Sequence, residues 1–273
     1  MKVHVDEVEL TLHATDAQGA SVNDLRLEEL KIFDNNRLPG RIVAFKAMRD
    51  LPIRAGILID TSSSMESSRE AIQSIAIAYA QQILKQKTDQ AFVASFGKRL
   101  QAPQFWSNDP TVLTTAISRV GNNPSATAIY DAVYAICRYQ FGKFPNDSSG
   151  NFIMLFSDGE DDASYLSLQA AVDMCQQTNT AIYAFRPQSA SVGLSNLSQL
   201  ASLTGGQVFR DGASSAELHE DLRIIEANLR NQYRIIYNPG ELKHDGLFHR
   251  IVILPPDRVA NISVRSGYYA PSR

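Results

Sequence analysis

The segment "RAGILIDTSSSME", residues Arg54–Glu66, ends an apolar run on Asp60 and then sets four hydroxyl side chains in a row, Thr61 to Ser64. Asp60, Ser62 and Ser64 have the spacing at which a tight loop can aim alternate side chains at one point. A second aspartate, Asp158 in "FIMLFSDGEDD", ends another apolar run far along the chain. Carboxylate and hydroxyl oxygens, with no sulfur or imidazole among them, suit a hard divalent cation, Mg2+, Mn2+ or Ca2+. The same residues have a plainer use, with Ser63 or Ser64 capping the following helix and Asp60 accepting loop amides. Catalysis fits less well. Phosphoryl transfer to an aspartate at a strand end would show a second acid two residues on, and position 62 is serine. A serine hydrolase needs a base beside its nucleophile. His4, His13, His219, His244 and His249 all fall in flanking strands, the last helix or a hairpin. No glycine-rich phosphate loop follows any strand, so the chain reads as a non-enzyme.

The frame that must position these residues is an ordinary globular chain. Its 273 residues are 44% hydrophobic and 20% charged, enough for one large or two modest domains. A formal net charge of −3 gives no electrostatic footprint for nucleic acid or an anionic membrane. No apolar run approaches the roughly 20 residues that span a bilayer, so no membrane insertion is expected. The opening "MKVHVDEVELTL" alternates instead of forming a signal core, although a precursor trimmed before Val3 would look the same. Cys137 and Cys175 sit in apolar helical patterns and read as buried thiols, with no second Cys or His at ligand spacing.

Periodicity divides the chain in three. Val8, Leu10, Leu12 and Ala14 alternate with polar residues, and "LKIFDNNRLPGRIVAF" reads as two more strands around an Asn-rich turn. From Ile57 short continuous apolar runs, "GILID", "AFVASF", "NFIMLFSD" and "TAIYAF", alternate with helical stretches such as 68–86, 127–141 and 167–178. That is the pattern of a parallel sheet covered on both faces. After a last helix over about 216–230, strands return as "QYRIIYN", "FHRIVIL" and "NISVRSGYY", joined by Asn238-Pro239-Gly240 and Asp245-Gly246 turns. The expected fold is α/β, a doubly wound, mostly parallel sheet over 54–231. Residues 1–53 and 232–273 each offer about three strands, too few for a sandwich alone, and should combine into one immunoglobulin-like β-sandwich. In a doubly wound sheet ligands bind at the carboxyl ends of strands, where the order reverses. Asp60 ends the first strand of the series and Asp158 the fourth, counting "LQAPQFW" as an edge strand. Those strands are neighbours, so both carboxylates should face one crevice.

At these residues the chain resembles a von Willebrand factor type A domain with its metal-ion-dependent adhesion site. The family's Asp-x-Ser-x-Ser falls on Asp60, Ser62 and Ser64, its middle-loop Thr on Thr127 in "PSATAIYDAV", and its Asp after the fourth strand on Asp158. The flanks, "LTLHATDAQGASVNDLRLEELKIFDNN" and a terminal "SGYYAP", are similar to bacterial, acidobacterial-type von Willebrand factor A-related proteins, which are often exported. The resemblance implies that Ser62 and Ser64 hold the metal directly, Thr127 directly or through water, and Asp60 and Asp158 largely through water. Few direct charges would leave the ion electrophilic, with a position open to an Asp or Glu of a protein partner. A metal-free structural or assembly scaffold is the alternative. Ser63 and Ser125-Ala126 replace glycines of the family pattern, which should stiffen those loops. Glu160, Asp161 and Asp162 read as a solvated rim, Asp131 as a helix or loop hydrogen-bond partner, and Tyr268 and Tyr269 as packing within the terminal β-module.

Overall fold

The computed structural model describes residues 7–121, 125–144, 149–187, 190, 193–210, 215–240 and 246–270. His4, His244 and Asp245 lie outside them. The chain runs β1 (Val8–Thr15), β2 (Lys31–Asp34), β3 (Arg41–Met48), β4 (Ile53–Asp60), α1 (Arg69–Ile83), β5 (Gln90–Phe96), β6 (Leu100–Ser107), α2 (Pro110–Ser118), α3 (Ile129–Tyr139), β7 (Gly150–Phe156), α4 (Leu168–Gln177), β8 (Thr180–Arg186), α5 (Leu194–Thr204), β9 (Val208–Arg210) and α6 (Ser215–Arg230). Four strands close it: β10 (Gln232–Asn238), β11 (Phe248–Leu254), β12 (Asn261–Val264) and β13 (Gly267–Tyr269). Two compact units result, residues 52–226 and residues 1–51 with 227–273.

The first unit is a six-stranded sheet in the order β6-β5-β4-β7-β8-β9, parallel except for edge strand β6. β7 is buried at every position, which is why its sequence is continuously apolar and not alternating. Side chains on one face, among them Leu58, Phe92, Ile153, Leu155 and Ile182, form a core with residues of α3, α4 and α5. On α1, Ile72, Ile75, Ala76, Tyr79 and Ile83 are buried at three- and four-residue intervals, and Tyr79 meets Phe185 of β8 with ring centroids 4.8 Å apart. The register pairs Ile59 with Phe156, so Asp60 and Ser157 leave the sheet side by side. The neighbouring first and fourth strands of this sheet are those the apolar runs imply.

Local chemistry sets the helix ends. Asp109 accepts the Thr111 amide ahead of Pro110, and Ser167 accepts the Ala170 amide at the start of α4. Helix α3 has no cap of its own at Ala128. The loop after β7 supplies one, because Asp161 accepts the Ile129 amide and the Ser164 hydroxyl oxygen accepts those of Tyr130 and Asp131.

One expectation fails. Cys137 of α3 and Cys175 of α4 are not free thiols but form a disulfide, with Cα atoms 5.1 Å apart. Each falls on the buried face of its helix, and the two faces pack together, which neither residue's own neighbourhood in sequence discloses. Closing a loop of this separation, 38 residues, contributes about 4 kcal/mol on the chain-entropy estimate.

The second unit has two antiparallel sheets, β12-β1-β10-β3 and β13-β11-β2. Leu10, Leu12 and Ala14 of β1, Tyr233, Ile235 and Tyr237 of β10, and Ile251 and Ile253 of β11 share its core. The antiparallel sheets built from both chain ends agree with the sandwich expected. Asn35 and Asn36 take positive φ in the turn after β2, a conformation asparagine tolerates. Where the sequence reads one strand, "NISVRSGYY", there are two: β12 pairs with β1 and β13 with β11.

Candidate functional site

Four segments meet at the carboxyl ends of the central strands. Asp60, the last residue of β4, is 3% exposed. Its Oδ1 accepts the Ser62 amide at 2.9 Å and its Oδ2 accepts the Ser157 hydroxyl at 2.7 Å. Thr61 turns the chain onto β5, its amide and hydroxyl both donating to the Phe96 carbonyl. Ser62 is buried and Ser64 exposed, and their hydroxyl oxygens lie 3.2 Å apart. The Ser62 side chain does not cap the turn over Ser63–Ser68, and that of Ser68 does not cap α1.

Asp158 is 6% exposed and its Oδ1 accepts the Glu160 amide at 3.0 Å. Among the described residues nothing donates to its Oδ2. Burial pushes the Asp60 carboxyl up to about 6 against the pull of its hydrogen bonds from Ser62 and Ser157, and the Asp158 charge adds to the rise. The Asp60 carboxyl is thus poorly solvated and lies near a second carboxylate that disfavours its charge.

Thr127 is 4% exposed and is held through its backbone alone. Its amide donates to Asp162 Oδ1 at 2.6 Å and its carbonyl accepts the amides of Asp162 and Ala163. The next residue, Ala128, donates to the Gly97 carbonyl at the end of β5. The Thr127 hydroxyl makes no hydrogen bond among the described residues. Ser125, at a family glycine position, accepts the Lys98 amide.

The structure therefore brings Asp60, Ser62, Ser64 and Asp158 together at the strand ends and ties Thr127 to the Asp158 loop. Asp161, only partly exposed, departs from the solvated rim expected of it by accepting the Ile129 amide, while Glu160 and Asp162 are exposed, Asp162 also accepting the Thr127 amide. Asp131 is the hydrogen-bond partner anticipated, accepting the amides of Tyr165 and Leu166. Ser157, fully buried, is a site residue the motif does not include. Its hydroxyl accepts the Gly159 amide while donating to Asp60, a role visible only once β4 and β7 are neighbours.

The donor set fits a hard cation. A Ser62–Ser64 separation of 3.2 Å is near the ~3.0 Å edge of an octahedron with metal–oxygen bonds of ~2.1 Å. Positive charge would relieve the repulsion that Asp158 exerts on Asp60, and among the described residues Asp158 Oδ2 and the Thr127 hydroxyl are uncommitted. Among the described residues no three His, Cys, Asp or Glu side chains gather closely enough to hold a metal, so a cation here depends on the hydroxyls.

The profile of the von Willebrand factor type A domain matches residues 56–222. Solved structures of proximal thread matrix protein 1 from the mussel byssus share the fold. One, with a zinc-occupied MIDAS motif, is 16% identical with a TM-score of 0.54 over 71% of this chain and 50% of that one. Another is 16% identical with a TM-score of 0.51 over 80% of this chain and 51% of that one. The chain thus spans about half the length of these structures. No curated protein is significantly similar to it.

Proposed function

Since the chain belongs to the von Willebrand factor type A domain family, we propose that the Asp60–Asp158 crevice is a divalent-cation-dependent protein-binding site. The observation that carries this reading is the pairing of two buried carboxylates, one pushed up to about 6, with two adjacent hydroxyls. Ser62, Ser64 and Thr127 would hold the cation with their hydroxyl oxygens, and Asp60 and Asp158 would balance its charge. Mg2+ or Mn2+ is the ion of choice for an all-oxygen set; the zinc-occupied MIDAS motif of the mussel protein supports a divalent ion in this fold. A bound cation supplies an electrophilic position that an Asp or Glu of a partner protein can enter. Ser157 keeps Asp60 oriented, and the Asp161 and Asp162 hydrogen bonds keep Thr127 beside Asp158.

We place the role in adhesion or assembly and not in catalysis. The imidazoles of His13 and His249 are engaged within the terminal unit, His13 with the Asn231 carbonyl and His249 with Asp34. The Cys137–Cys175 disulfide supports an oxidising, exported setting.

The test is a melting curve with Mg2+ or Mn2+. A cation bound to the native state alone stabilises it by RT ln(1 + [L]/Kd), about 2.7 kcal/mol at a hundredfold excess over Kd. The wild-type Tm should rise, and EDTA, Asp60→Ala or Asp158→Ala should remove the rise. A wild-type curve unmoved by either cation would overturn the metal reading in favour of a metal-free scaffold.

A further inference from the structure

Tyr165 is 92% exposed, more than any other large apolar side chain among the described residues. A single exposed aromatic is ordinary; its mounting is not. It lies on the loop that begins at Asp158, and the backbone on either side is fastened to the start of α3. Ser164 accepts the Tyr130 and Asp131 amides and donates to Asp161 Oδ1 at 2.6 Å. Asp131 then accepts the Tyr165 amide at 3.1 Å and the Leu166 amide at 2.8 Å. The same loop holds Thr127 through Asp162. The ring is thus displayed from a fixed base tied to two elements of the crevice, and a contact to it would order little beyond two side-chain torsions. The loop is also acidic, with Glu160 and Asp162 exposed.

We propose that Tyr165 is the specificity-determining contact of the partner site, stacking against an arginine or lysine of the same partner segment whose Asp or Glu enters the crevice. The inference rests on the crevice being a partner site. Charge complementarity selects the occupant: a cation on the face of Tyr165 gains from the ring quadrupole and from the loop's acids, whereas a second acid there would be repelled. Asp131 is a positioning residue, acting through the Tyr165 and Leu166 amides.

A random peptide display library selected on the full chain in Mn2+ tests this. Peptides released by EDTA should be enriched in an Asp or Glu with an Arg or Lys a few residues away. For such a peptide Tyr165→Ala should weaken binding about tenfold or more, the scale of an aromatic anchor. Tyr165→Phe should keep most of the affinity, and Asp131→Asn should fall between. Salt should weaken the wild type more than Tyr165→Ala. None of the three should alter the Mn2+-induced rise in Tm, since Tyr165 and Asp131 contribute no oxygen to the crevice. EDTA-releasable peptides that lack the basic residue, or that bind Tyr165→Ala within about twofold of wild type, would overturn the assignment while leaving the metal site standing. No EDTA-releasable peptide at all, with Tm unmoved by Mn2+, would overturn both.

Discussion

Asp34 in the sandwich and Asp60 in the parallel-sheet unit are buried to the same degree, at 5% and 3% exposure, but their charges are met differently. Around Asp34 the donors are many. Oδ2 accepts the hydroxyls of Tyr237 at 2.8 Å and Tyr268 at 2.7 Å, and Oδ1 faces His249 Nδ1 at 2.9 Å. Tyr237 belongs to the four-stranded sheet and the other three residues to the three-stranded one, so the cluster joins the layers. Burial first, and the Asp34 charge second, push the Tyr237 phenol far up, which keeps it a donor. Around Asp60 there are Ser62 and Ser157, and a like charge on Asp158. A buried carboxylate ringed by hydrogen-bonding side chains is a strut. One set beside a second carboxylate is a demand for a cation, and that demand separates the functional aspartate from the structural one.

Removing each acid should therefore have opposite signs. Asp34→Ala leaves two phenols and an imidazole in the sandwich core without their acceptor, a loss of about 3–5 kcal/mol. Urea unfolding at neutral pH measures it, and a loss under about 1 kcal/mol would dissolve the distinction.

Asp60→Asn should instead stabilise the metal-free protein near neutral pH. The folded value of about 6 lies above the ordinary 3.8. Below the lower value both states are protonated and nothing is lost. As pH rises from there to about 6 the unfolded chain releases a proton that the native state retains, so stability falls. Above it the full penalty stands, about 3 kcal/mol. Wild type should lose that much relative to Asp60→Asn across this window, and saturating Mn2+ should reverse the ranking at neutral pH. A flat difference between the two proteins would mean that Asp60 is as well satisfied as Asp34.

The contrast also marks what could be read from the chain. Asp60, Ser62, Ser64 and Asp158 were legible because an apolar run ending on an acid is a local pattern, and a parallel sheet turns chain order into neighbourhood. Ser157 was not, because its value to Asp60 arises from strand register. Nor were Asp161, which caps a helix that starts some thirty residues earlier at Ile129, and Asp162, which holds the Thr127 amide just ahead of that helix. The Cys137–Cys175 bond depends on two helices meeting, and the break between β12 and β13 on a change of sheet at Arg265-Ser266. Three-residue β9 has too little pattern to register. In each case the deciding interaction lies far off in sequence.

The finest comparison trims one hydroxyl from each aspartate. Tyr237→Phe takes a donor from Asp34 but leaves Tyr268 and His249 in place, so it should cost about 1 kcal/mol at pH 7. Ser157→Ala takes a hydroxyl donor from Asp60 Oδ2, and strips the Gly159 amide of its acceptor as well. Its cost should depend on pH. At about pH 5 the native Asp60 is mostly protonated and needs the Ser157 donor little, so the loss reflects the Gly159 amide. At about pH 7 the carboxylate is ionised, and losing a donor to it should add roughly 1 kcal/mol. The folded Asp60 value should rise further in this variant, which the proton uptake on folding or the carboxyl chemical shift would report. Mn2+ should shrink the extra cost, because charge from the cation replaces what the hydroxyl supplied. If Ser157→Ala costs the same at both values and in both ionic conditions, the serine is a loop strut and Asp60 does not carry its charge against resistance.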